Sequence, residues 1–298
     1  MILPETHERL STASGIIGTL AMELLFAIGI LVFALLAGLL GSLLGLGGGI
    51  IIIPALTLVF GYPMQAAIGA SLMAVIASST GSASYYVEEG LSNIRLGMVL
   101  EIATTLGSVI GALVAVYTDQ YILAAAFGVL LLYSAIHMIR RPEATCTYKP
   151  GPCGPLDLSC SYTEKSDGEK VEYGVQKLGR GMFASLGAGG MSGLLGVGGG
   201  IIKVPVMNLW MGVPMRAACA TSNFMIGVTA LAGAVVYYQF GLVQPVLAGV
   251  VAVGAFFGAA FGSRIAHRIN GEQLKRLFAV LMVFVAALMF LKAAGVMA

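Results

Sequence analysis

The sequence predicts an all-α polytopic membrane protein built from two inverted repeats of about five helical segments each. The helices are broken or shortened at two Gly-Gly-Gly runs. Three observations predict this: a composition suited to lipid, a set of apolar stretches long enough to cross it, and an internal duplication. Of the 298 residues, 58% are hydrophobic and 10% are charged, and mean hydropathy is +0.94. Soluble domains carry about 25% charged residues, so this chain has too few to clothe a water-facing surface. Glycine reaches 41 residues, as packed membrane helices favour.

The duplication is direct. Leu43 to Ser71 aligns without a gap onto Leu194 to Ser222, with 16 of 29 positions identical at an offset of 151. The match includes the three-glycine run, both prolines and the closing serine. The same offset carries Gly107 and Gly111 onto Gly258 and Gly262, two G-x-x-x-G spacings that let helices approach closely. Self-similarity of this length marks an internal repeat.

A membrane helix needs about 20 apolar residues. In the first half the spans read as 20–44, 64–87, 97–117 and 119–139, and in the second as 179–195, 215–238, 244–264 and 273–296. Each half adds one apolar piece too short to span unaided, 50–60 and 201–211, held between Gly-Gly-Gly and Gly-x-Pro. Lys and Arg mark cytoplasmic loops. Arg140, Arg141, Lys177 and Arg180 flank the middle loop, and Arg264, Arg268, Lys275 and Arg276 mark a second basic loop. If both are cytoplasmic, each short piece counts as a crossing. Each half then crosses five times, an odd number that forces the two halves into opposite orientations and puts both termini outside. Re-entrant short pieces would instead give eight spans with both termini inside, and would turn the second basic loop outward. The charge rule favours ten crossings.

The expected domains are an N-terminal transmembrane repeat at 16–139, a cytoplasmic polar linker at 140–178 and a C-terminal transmembrane repeat at 179–298. The linker is rich in Pro and Gly at its start and leaves room for a small hairpin. Its cysteines, Cys146, Cys153 and Cys160, do not follow a zinc spacing. No basic stripe suits nucleic acid. No H-E-x-x-H, G-x-S-x-G or nucleotide-binding pattern appears, so neither an enzyme nor an ATP-driven pump is expected, and no metal or cofactor is assigned.

The candidate chemistry lies at the glycine runs. Breaking a helix inside a membrane frees backbone N–H groups, which must be satisfied inside the protein or by a ligand. A helix start carries about half a positive charge, which suits an anion. Gly47, Gly48 and Gly49 precede a short helix starting at Ile50. Gly198, Gly199 and Gly200 precede its partner at Ile201. The glycines also allow a tight bend and close packing, and both uses are open. Lys203 stands where the first half has Ile52. A lysine at that depth costs about 2.5–3.5 kcal/mol to insert. The carboxylates Glu23 and Glu101 read as lying near helix ends, so a substrate anion is the expected partner of Lys203, unless the side chain snorkels outward. Ser71, Thr221, Ser222 and Asn223 follow the short pieces and can bond an oxyanion or cap a helix.

The segments at 45–54 (G-L-G-G-G-I-I-I-I-P), 61–72 (G-Y-P-M-Q-A-A-I-G-A-S-L), 196–205 (G-V-G-G-G-I-I-K-V-P) and 212–223 (G-V-P-M-R-A-A-C-A-T-S-N) resemble the sulfite exporter TauE/SafE family. That resemblance implies a plasma-membrane permease for small sulfur-containing anions: sulfite, sulfonates or thiosulfate. An anion channel without alternating access, and a membrane-bound redox or sulfur-transfer protein using the loop cysteines, are the alternatives. The expected partners are a small anion and the lipid bilayer, with a homodimer left open.

Overall fold

The structure, a computed structural model, describes residues 24–43, 45, 47–140, 158, 160–163, 170–265 and 271–295. The first part of the N-terminal repeat, most of the linker with Cys146 and Cys153, and the basic position Arg268 lie outside them. Ten helices appear among the described residues. In the first half these are α1 (Leu24–Leu43), α2 (Gly49–Pro54), α3 (Met64–Glu88), α4 (Ile94–Val116) and α5 (Gln120–Arg140). The second half holds α6 (Leu178–Leu195), α7 (Gly200–Leu209), α8 (Met215–Gln239), α9 (Pro245–Ile265) and α10 (Gly271–Ala293). Five of them, α1, α3, α4, α8 and α9, are long and apolar enough to cross a membrane.

Residue pattern explains the element ends. The α4 helix begins where the Asn93 side chain accepts the Leu96 N–H at 3.0 Å, satisfying one of the orphan donors of the first turn. Both α3 and α8 start directly after a proline, Pro63 and Pro214. Pro54 lacks the N–H that would continue α2, and a π-helical turn, Ala55–Val59, follows it. Helix faces divide cleanly. On α4, Met98, Ile102, Leu106 and Ile110 point outward at four-residue spacing, with Ile102 65% exposed, while Leu100, Thr104, Gly107, Ser108 and Gly111 are buried. An apolar outer stripe of this kind is at home only in lipid.

Glycines set the packing partners. A Cβ at Gly107 or Gly111 of α4 would collide with the Leu186 or Gly190 backbone of α6. A Cβ at Gly258 or Gly262 of α9 would meet Leu35 or Leu39 of α1. The four partner residues are themselves related by the repeat offset, so each half lends its first helix to the other half. Direction follows from the pairings. Gly254, Gly258 and Gly262 meet Leu31, Leu35 and Leu39 in order, so α9 and α1 run the same way. Gly189 and Gly193 meet Thr104 and Ser108, so α6 follows α4. By contrast, Gly233 meets Leu72 while Gly227 meets Ser79, so α3 and α8 run oppositely.

The linker forms the hairpin that its composition allows. Strands β1 (Cys160–Thr163) and β2 (Lys170–Tyr173) pair antiparallel. Leu158, Tyr162 and Tyr173 are buried with Leu96, Leu100, Met207, Met211 and Val213. The linker is therefore docked on α4 and the end of α7, with the Gln176 N–H donating to Met211 O at 3.0 Å.

Candidate functional site

The glycine runs are left-handed turns. Gly47 and Gly48 have φ of 76° and 74°, and Gly198 and Gly199 have 77° and 73°, values that only glycine adopts at low cost. The two turns converge. A Cβ on Gly47 would stand 3.1 Å from Ile226 and 3.2 Å from Val75; one on Gly198 would stand 2.5 Å and 3.0 Å from the same two side chains. Val75 and Ile226 are themselves partners under the repeat offset. Ile50 and Ile201 lie buried in the hydrophobic core shared by both halves.

Hydroxyls cross between the copies and hold the turns. Ser71 Oγ donates to Gly196 O at 2.9 Å, and Ser222 Oγ donates to Gly45 O at 3.3 Å. Ser78 donates to Gly47 O at 3.2 Å. Asn223 Nδ2 donates to Ser42 O at 3.3 Å, while its own carbonyl accepts from Ser79. Thr221 Oγ1 accepts the Asn93 N–H at 2.9 Å. Of the sequence-derived candidates, Ser71 and Ser222 thus hold the glycine turns, Asn223 bonds the end of α1 just before the first turn, and Thr221 bonds the start of α4 instead. Ser78 shares the task of holding the turns while also donating to Val75 O in its own helix, and Ser79 ties α3 to α8.

Lys203 sits in the first turn of α7 with its side chain 1% exposed. It does not snorkel. Its Nζ donates to Thr229 Oγ1 at 2.7 Å, and that hydroxyl donates on to Glu101 Oε1 at 2.6 Å. Glu101 Oε2 lies 3.7 Å from Nζ and accepts no hydrogen bond. Thr105 donates to Oε1 at 3.3 Å. This corrects the expectation that Lys203 lacks a carboxylate. Glu101 lies two turns inside α4, because that helix starts at Ile94 rather than 97. Sequence reasoning set Glu101 aside as lying near a helix end and missed Thr229. The available signal was a carboxylate with apolar residues on either side in a spanning helix, which marks function by default.

The pairing has an energetic logic. Taking two charges out of water costs several kcal/mol per ion, and removing one partner alone is far worse than keeping both. The first half has no equivalent. Under the repeat offset, Lys203, Thr229 and Glu101 correspond to Ile52, Ser78 and Ala252. Each copy therefore contributes one charge to the centre, Glu101 from the first and Lys203 from the second, and the symmetry-related positions Ile52 and Ala252 carry none.

Helices with lipid-compatible outer faces, wrapped around converging glycine turns and a buried cation, define a multi-pass membrane permease. Comparison with known proteins agrees. The sulfite exporter TauE/SafE family model matches residues 30–289, and the chain belongs to that family. The probable membrane transporter protein YunE of Bacillus subtilis is 28% identical over 264 residues, covering 86% of this chain and 94% of its own. A probable membrane transporter protein of Methanocaldococcus jannaschii is 26% identical over 271 residues, covering 86% of this chain and 90% of its own. A third, from Haemophilus influenzae, is 22% identical and covers 87% and 94%. No solved structure matches.

Proposed function

We propose that the protein is a secondary permease for small sulfur-containing anions such as sulfite, sulfonates or thiosulfate. The observation that carries this reading is the placement of Lys203. A buried ammonium stands in the first turn of α7, directly after Gly198, Gly199 and Gly200. Helix-start N–H groups and a cation together favour an oxyanion. Gly47, Gly48, Gly49 and Ile50 supply the opposing helix start. Ser71 and Ser222 fix the shape of the turns, and Thr221 and Asn223 on α8 are the further candidates for bonding the anion. The proposed units are repeats at 16–139 and 179–298 joined by a cytoplasmic linker at 140–178. The repeats are inverted with respect to the membrane, a reading supported by the opposite directions of α3 and α8. Transport then follows from rocking one bundle against the other around a central site.

The test is flux into vesicles holding the full chain, with labelled sulfite, sulfoacetate, thiosulfate and sulfate. Saturable uptake of at least one of the first three is expected, reduced at least tenfold by Lys203→Met. Uptake no faster than in protein-free vesicles for all four would remove the proposal, and unitary currents would replace it with a channel.

A further inference from the structure

We propose that Glu101 is the proton-coupling group of this permease, binding one proton each time an anion draws Lys203 away from it. The inference rests on the anion reading above and adds the coupling ion. Three observations support it. Lys203 and Glu101 neutralise each other without a direct hydrogen bond, at 3.7 Å, so the one hydrogen bond given up when the ammonium moves is that to Thr229. Glu101 Oε2 is buried and has no donor, leaving a site where an O–H bond can form. Thr229 bridges the two groups through Oγ1, accepting from the ammonium and donating to the carboxylate, so the carboxylate keeps this hydroxyl when the ammonium moves.

The charge count sets the stoichiometry. With Lys203 paired to Glu101 the centre is neutral. An incoming anion at the start of α7 takes the ammonium as its counter-ion, and the flexible lysine stem permits that shift. Glu101 is then a buried carboxylate without a cation, and such a group neutralises by binding a proton. One anion and one proton enter together, because one carboxylate loses one ammonium whatever the anion's charge; an O–H bond forms at Glu101, nothing is oxidised, and the centre stays neutral for a monoanion and gains one negative charge for a dianion such as thiosulfate.

The other described charges around Glu101 are committed or distant: on the docked hairpin, Lys170 and Glu172 are exposed and pair with each other at 2.8 Å, while Cys160, Tyr162 and Tyr173 sit in the apolar cluster with Leu96 and Leu100. On α7 Lys203 is the one ionisable residue. On α4 the other is Arg95, exposed near the helix start. On α6 it is Arg180, exposed in the first turn. On α8 the carboxylate meets Thr229, while Arg216, Cys219, Tyr237 and Tyr238 lie two turns or more away along the helix. Glu101 is also the more accessible partner, with 12% of its side chain exposed against 1% for Lys203.

The experiment is calorimetric titration of the purified full chain with thiosulfate, an anion that does not itself titrate near neutral pH. It is run in buffers of different ionisation enthalpy, so that the heat reports protons taken up. Wild type should bind about one proton per anion, and its apparent Kd should weaken about tenfold per pH unit, as linkage of one proton requires. E101Q should bind thiosulfate with no proton uptake and a Kd independent of pH. In vesicles, an imposed pH gradient should drive accumulation by wild type and only equilibration by E101Q. Anion flux without proton uptake in wild type overturns the coupling and leaves the permease reading standing. No binding and no flux with thiosulfate, sulfite or sulfoacetate overturns both. An equal proton count in wild type and E101Q removes Glu101 from the role. If E101Q does not fold, infrared difference spectra replace it. Thiosulfate should raise a protonated-carboxyl C=O band in wild type that shifts in E101D, and its absence would equally reject the proposal.

Discussion

The two short helices, α2 and α7, hold equivalent positions in the repeat, share their flanking glycine and proline corners, and differ in the side chains between. Each follows a left-handed glycine turn, contains an interior proline and ends before a Gly-x-Pro corner. Each turn is pinned by a serine from the other copy. Past that point they diverge. The α2 helix is apolar and runs into a π turn whose Thr57 carbonyl accepts from Lys292 Nζ at 2.7 Å. The α7 helix carries Lys203, reaches Glu101 and Thr229, and is closed by the docked linker. Duplication preserved what the main chain needs and left side-chain charge free to settle at one of the two symmetry-related sites, with Lys203 from one copy facing Glu101 from the other.

The strongest way to break this comparison is at the turns. Gly47→Val and Gly198→Val should both abolish a monodisperse species in detergent chromatography. A left-handed backbone costs a non-glycine residue about 1–2 kcal/mol, and the added carbons meet Val75 and Ile226. Failure of only one variant would show that the two turns are not equivalent. Next comes the charge. Lys203→Met leaves Glu101 unpaired and should destabilise by about 3–5 kcal/mol, read as thermal unfolding in detergent. Adding Glu101→Gln should recover most of that loss, whereas Ile52→Met, the matching position in the first copy, should cost less than about 1.5 kcal/mol.

Smaller effects sharpen the picture. Lys292→Met removes a cation from the end of the first short helix and should cost about 1 kcal/mol by the same measurement. Ser71→Ala and Ser222→Ala should each cost about 0.5–1.5 kcal/mol. The loss should be larger for Ser71, whose bond is 2.9 Å against 3.3 Å. Equal losses would mean that bond length is not what separates the two pins.

The helices were legible because apolar length and punctuation are local signals. Expected spans such as 64–87 and 215–238 differ from Met64–Glu88 and Met215–Gln239 by a single residue at one end. The glycine turns were legible because the repeat displays them twice. The charged centre was only half legible. Lys203 stood out against Ile52, but its partner lies 102 positions earlier on a helix of the other half, and no local pattern encodes a contact of that range. The serines misled for a related reason. Ser71 and Ser222 look like helix caps in sequence, yet their acceptors are carbonyls in the opposite copy.

The exchange of first helices also constrains how the protein is made. While the ribosome has released only the first half, the grooves at Gly107 and Gly111 face lipid, because the helix that fills them is still being translated. The groove on α9 meets a helix inserted much earlier. Maturation therefore waits for the whole chain. Two half-genes should yield working protein only when their products meet in the same membrane, and a half made alone is a client for chaperones and proteases.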